Sequence, residues 1–178
     1  MNAIQALSHK QVGALLLPRH KARDMLVLAA DLALHAPLRV VDGGNLFNAL
    51  LLSRMIRRKT SHVIQTMNRI YISRAFTCYQ MEAMLAELTT PGSPLLVMDL
   101  LSTFYDESVS DEQSQRLLHN CLAHLKRASG VVPVLVSVSP PRQAGKRLFL
   151  LETLLEGIDH VWQWEAEEKP PQQPTLWE

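Results

Sequence analysis

Pro94-Leu95-Leu96-Val97-Met98-Asp99 is the stretch on which the fold class turns. Its apolar residues stand at consecutive positions and end on a carboxylate. The run is too short for a helix of ordinary length. As a strand, it would put apolar side chains on both faces of a sheet, which is stable only where helices cover both faces. Further runs of this kind lie to either side: Ala14-Leu15-Leu16-Leu17, Leu38-Arg39-Val40-Val41, Arg69-Ile70-Tyr71-Ile72 and Val131 to Val138. Amphipathic stretches separate them. That alternation is the mark of βαβ units around a mainly parallel sheet. His160-Val161-Trp162-Gln163-Trp164 alternates instead and reads as an edge strand with one wetter face.

Start and stop signals place the helices. Thr77-Cys78-Tyr79-Gln80 and Ser110-Asp111-Glu112-Gln113 fit the capping box, in which a hydroxyl and a Gln or Glu three residues on satisfy each other's amides. Met81, Met84, Leu85 and Leu88 then form one stripe, and Leu117, Leu118, Cys121, Leu122 and Leu125 another, which Gly130 ends. Helices over about 24–36, 46–58 and 143–156 complete the pattern. The expected architecture is α/β, three layers, with a mainly parallel sheet covered by helices on both faces. Residues 1–164 form the domain, and the proline-rich 165–178 reads as a mobile tail.

Composition excludes several classes. The chain has 178 residues, enough for one domain with a sizeable core, and its 47% apolar and 20% charged content is that of an ordinary globular protein. A formal charge of +1 supplies no global field toward nucleic acid or membrane, so such binding would need a local patch. Cys78 and Cys121 are too few and too far apart for a disulfide framework or a zinc site. No apolar run approaches the ~20 residues that cross a bilayer. The cytoplasm is the expected compartment.

Several local words, in shared order over about Gly13 to Glu165, resemble the core of the RecA/RadA-type recombinase ATPases. Val40-Val41-Asp42-Gly43-Gly44-Asn45-Leu46-Phe47 is similar to the family's second strand and the turn leading into a helix. Tyr71-Ile72-Ser73-Arg74-Ala75-Phe76-Thr77 with Gln80 resembles its Arg-Ala-Phe passage, and Leu95 to Asp99 looks like its Walker B strand, whose acidic residue helps to hold Mg²⁺. The resemblance implies a RecA-like core and places the polar residue after the fifth strand at Ser137 or Ser139.

The phosphate-binding chemistry departs from that pattern. A working P-loop reads GxxxxGK[ST], its glycines letting main-chain amides approach phosphate. At the matching place stands Leu17-Pro18-Arg19-His20-Lys21-Ala22-Arg23-Asp24, with Leu17 and Ala22 for the glycines, Arg23 for the lysine and Asp24 for the hydroxyl. Gly44 stands where the family carries the glutamate that orients water. These positions predict a degenerate member with no catalytic residue and no expected cofactor.

Alternatives remain beside this reading. Arg19, His20, Lys21 and Arg23 suit either an anion site at a helix N-terminus or a solvated basic loop. Asp42 and Asp99, with Asn45, Arg74 and Ser139, would lie along the carboxyl edge of the sheet, where α/β folds bind ligands, although capping of loops suits the two carboxylates better. Arg142, Lys146 and Arg147 are nucleic-acid candidates. Arg54, Arg57, Arg58 and Lys59 form a basic cluster that could touch nucleic acid, but a favourable interaction with the dipole at a helix end explains it slightly better. His119 and His124 are five apart, which does not put them on one helix face as a metal pair requires. Three functions follow: a non-hydrolysing accessory protein of DNA repair or recombination, acting through a protein partner or self-association with DNA contact besides; an ATP- and Mg²⁺-binding regulator with an altered P-loop; or a cell-division or signalling module on the same scaffold.

Overall fold

A computed structural model describes residues 11–21, 24–88, 92–105, 108–141 and 146–163. Six strands form one all-parallel sheet: β1 (Val12–Leu16), β2 (Leu38–Asp42), β3 (Ile70–Arg74), β4 (Leu95–Met98), β5 (Val134–Val138) and β6 (His160–Gln163). Their spatial order is β3-β2-β4-β5-β1-β6. The helices are α1 (Asp24–His35), α2 (Ala49–Arg57), α3 (Val63–Met67), α4 (Cys78–Ala86), α5 (Asp111–Ser129) and α6 (Leu148–Gly157). Strand β6 lies at one edge, and β3 forms the other.

Alternation along each strand builds two separate cores. Leu95 and Val97 of β4 join Val134, Val136 and Val138 of β5 under α4, α5 and α6, where Met81, Leu85, Leu118, Cys121, Leu125, Leu150 and Leu154 are buried. Leu96 and Met98 face the other way, with Leu38, Val40 and Leu135, toward Met25, Leu26, Ala29 and Ala30 of α1 and Leu52 and Ile56 of α2. The continuous apolar runs are thus explained by two covered faces. The molecule is an α/β three-layer structure, consistent with a RecA-like core. Among the described residues, no helix is long and apolar enough to cross a membrane.

Both predicted helix starts are present, with differences in detail. Thr77 Oγ1 accepts the amide of Gln80 at 3.2 Å, but the Gln80 side chain reaches one residue further back, to the amide of Phe76 at 2.8 Å. Ser110 Oγ accepts from the amide of Gln113 at 3.3 Å. Gly130 follows the last residue of α5 with an ordinary right-handed φ of −62°, so the helix ends there without a left-handed glycine.

Other boundaries move for local reasons. Helix α2 begins at Ala49 rather than 46, because Asn48 caps it by accepting the Leu51 amide at 2.9 Å, and the preceding turn is held otherwise. Strand β1 starts at Val12, two residues early, and β5 at Val134, because Val131 and Val132 donate to the carbonyl of Ala128 in the turn leaving α5. Helix α6 starts at Leu148, after Arg147 at φ +55°, rather than at 143. The short α3 was not foreseen. Residues 1–10, the segment 142–145 and the tail from 164 lie outside the described residues.

Candidate functional site at the carboxyl edge of the sheet

An all-parallel sheet puts every strand's carboxyl end on one edge, and there the chain gathers Leu17, Asp42, Arg74, Asp99 and Ser139. Leu17 follows β1. Its amide donates to the Val138 carbonyl at 2.9 Å, and its side chain is buried in the core beneath α1. Pro18 has no amide hydrogen, and Lys21 closes a 3-10 turn over Arg19–Lys21 by donating to the Pro18 carbonyl at 2.8 Å. The amides at 17 and 21 therefore face internal acceptors rather than a concave nest that could take phosphate. His20 is exposed, Lys21 is half-buried, and Asp24 opens α1. Ala22 and Arg23 lie outside the described residues, so the predicted basic anion site is described only in part.

Asp42 ends β2 and is fully buried. Its Oδ1 accepts the Leu46 amide at 3.0 Å and its Oδ2 the Phe47 amide at 2.9 Å, which holds the turn between β2 and α2. Arg74, in register with Asp42 on β3, brings Nε to 3.3 Å from Oδ2, close enough for an ion pair though not aligned as a hydrogen bond. Its Nη2 donates to the Phe47 carbonyl at 3.0 Å. Carboxylate and guanidinium thus clamp one turn from two strands. Asn45, at the tip of that turn, is exposed with φ +54°. Asparagine tolerates this left-handed conformation better than most residues.

Asp99 follows β4 in the left-handed conformation, φ +49° and ψ +57°, and is 3% exposed. Its amide donates to Ser137 Oγ at 2.9 Å, and its Oδ1 accepts the Ser139 amide at 3.1 Å. Ser137 and Ser139, both buried, therefore serve Asp99 from the end of β5. Tyr105 adds a hydroxyl donated to the Ser139 carbonyl at 3.0 Å, a contact with no sequence signal.

Two glycines lie directly against this acid. Gly43 donates its amide to the Met98 carbonyl at 2.8 Å, and a Cβ on it would meet Met81 Cε at 2.7 Å and the Asp99 carbonyl oxygen at 3.0 Å. A Cβ on Gly44 would fall within 2.7 Å of Asp99 Cβ. Position 44 therefore has no room for a side chain unless Asp99 or the turn shifts. The need for glycine at 43 and 44 comes from this close approach, and both have ordinary φ.

The remaining nucleic-acid candidates are separated. Lys146 is exposed, and Arg142 lies outside the described residues. Arg147 points inward. Its guanidinium donates to the carbonyls of Phe104, at 2.6 Å, and Val109, and its Nε lies 3.2 Å from Asp111 Oδ1. A guanidinium so engaged ties the segment before α5 to the start of α6, a structural task that differs from the expected contact with nucleic acid. On α5, His119 faces the Gln115 carbonyl at 2.8 Å, while His124 meets Glu82 of α4 at 3.2 Å. Compared with known proteins, the chain matches no family model and no curated protein.

Proposed function

We propose that this chain is a non-hydrolysing RecA-like accessory protein of DNA repair or recombination, working through protein contacts with a related ATPase or with itself. The observation that carries the loss of nucleotide chemistry is at Leu17. Its amide is spent on β5, and its side chain fills the core where a P-loop needs bare main chain. Occupation of the Gly44 space by Asp99 supports the same reading, since a water-orienting side chain fits there only if Asp99 or the turn shifts. The repair or recombination setting comes from the resemblance, which also suggests a RecA-type ATPase as the partner.

The test has two arms. Thermal unfolding with and without ATP-Mg²⁺ should give the same midpoint, whereas a nucleotide bound at a hundred times its Kd would add about 2.7 kcal/mol. A stabilisation of that size would instead favour the altered P-loop regulator, with Lys21 and Asp99 as its first residues to mutate. The second arm measures the single-stranded-DNA-dependent ATPase of a RecA-type recombinase from the same cell, with and without this chain. A changed rate is expected, and an unchanged rate at saturating chain would overturn the accessory role.

A further inference from the structure

Helix α2 carries two unlike faces. Leu52 and Ile56 are buried in the core beneath it, while Leu50, Arg54 and Arg57, spaced i, i+4 and i+7, form an outward stripe about 10 Å long. Arg57 continues that stripe into an open depression where α2 gives way to α3, lined also by His62, Val63 and Ile64. Arg58, beside Arg57, is exposed as well. Ile64 is 77% exposed and Leu50 63%, so an apolar side chain stands in solvent at either end of a row of cations.

Charge sets this face apart from the rest of the molecule. From Gly43 through Met81 the sequence holds six Lys and Arg and no Asp or Glu, out of totals of 18 and 17 for the whole chain, so the remainder is acidic on balance. Two of the six are engaged: Lys59 pairs with Asp31 at 2.6 Å, and Arg74 lies against Asp42. Arg54, Arg57 and Arg58 pair with no described carboxylate. The dipole of α2 favours cations in its last turn. It accounts neither for so long a run without an acid nor for Leu50 and Ile64 left in water beside those cations. Arginines interleaved with exposed apolar side chains around a depression have the composition of a protein-binding surface.

We propose that the outward face of α2 and the depression before α3 dock an acidic segment of a partner protein, its carboxylates on Arg54, Arg57 and Arg58 and one large apolar side chain against Val63 and Ile64. Charge complementarity selects this occupant, and the stripe matches about two turns of a helix laid along it. Neither the stripe nor the depression contains a Phe, Tyr or Trp, so unpaired bases would find no platform to stack on. A phosphate backbone, in turn, has no apolar side chain to cover Ile64. Two copies of this chain meeting through the same face would set like charges against each other. The inference goes beyond the function proposed above and does not depend on it, because it draws on α2 and α3 and not on the carboxyl edge of the sheet.

The test screens the full chain against a displayed library of random peptides of about 12 residues, enough for roughly three helical turns. Selected sequences should be rich in Asp and Glu around one large apolar residue. The best of them, labelled and read by fluorescence anisotropy, should bind R54E/R57E at least about tenfold more weakly. Ile64→Ser should weaken binding at least about threefold with the salt dependence unchanged, a combination that general charge attraction does not produce. All three positions are exposed, and an unchanged circular dichroism spectrum and thermal midpoint verify the fold of each variant. Selected peptides without acidic residues, no selection above an unrelated bait, or binding unmoved by R54E/R57E would overturn the proposal. So would oligo-dT or phosphatidylserine vesicles bound more tightly than the best peptide through the same arginines, or a self-association that R54E/R57E abolishes.

Discussion

Gly44 and Asp99 approach so closely that a Cβ on the glycine would lie 2.7 Å from the aspartate Cβ and 2.9 Å from its Oδ2. Asp99 cannot readily withdraw, because its amide and carboxylate are both held by the end of β5. Gly44→Ala is therefore expected to destabilise the fold by about 1–3 kcal/mol through overpacking. Gly44→Glu should cost at least as much and yield no ATP hydrolysis. Urea denaturation and a phosphate-release assay check the two outcomes.

The Asp42 carboxylate should be worth more than a single contact. Asp42→Asn keeps one acceptor oxygen for two amides and removes the charge facing Arg74. A loss of about 2–3 kcal/mol is expected, since hydrogen bonds to a buried charged group are the strong ones. Hydrogen exchange at the Leu46 and Phe47 amides should rise in the same variant. Exchange left unchanged there would show that the turn holds by other means.

Arg147 is expected to respond as a tie rather than as a surface cation. Arg147→Ala removes donors from the Phe104 and Val109 carbonyls and should cost about 2 kcal/mol. Arg147→Lys should recover little of it, because an ammonium cannot span acceptors that a planar fork reaches together. Asp111→Asn, on a partner 69% exposed, should cost under about 1 kcal/mol. Chemical denaturation of the three variants tests this ranking, and equal losses for Ala and Asn would contradict it.

Cys121 sets a pH dependence of opposite sense to that of a paired carboxylate. Burial between α4 and α5 is the main cause that pushes its thiol far above the ordinary value of 9.0, with the charge of Glu82 adding to it. The folded state thus keeps a proton that the unfolded chain releases. Stability from this group is fully present below pH 9 and declines above it, by about 1.4 kcal/mol for each further unit. Cys121→Ala should flatten the alkaline limb of the stability profile while lowering the plateau through the lost packing. Equally steep limbs for the two proteins would exclude the thiol as the cause.

The layers were legible in the sequence because apolar content at consecutive positions has one explanation in a sheet, and because the α5 stripe runs without interruption from Leu117 to Leu125. Helix α3 was not, since its five residues carry one buried side chain and His62 before it makes no side-chain cap. At the carboxyl edge, the sequence singled out Gly44 but not that Asp99 lies directly against it. It also offered Arg147 as a candidate for nucleic-acid contact and not as a tie between two carbonyls. Both contacts escaped the sequence for one reason: they join residues 38 to 55 positions apart, and no local pattern encodes them.

Strand β1 sits between β5 and β6, its Val12 paired with Val134 and its Gly13 with His160. During synthesis this early strand has no neighbour until roughly 120 further residues have left the ribosome, about 6 to 24 s at usual elongation rates. Throughout that interval the strand lacks the pairing it has in the fold, and unpaired apolar strands of this kind are what makes nascent chains prone to aggregate. Loss of the last strands by early termination would leave it permanently prone to aggregate.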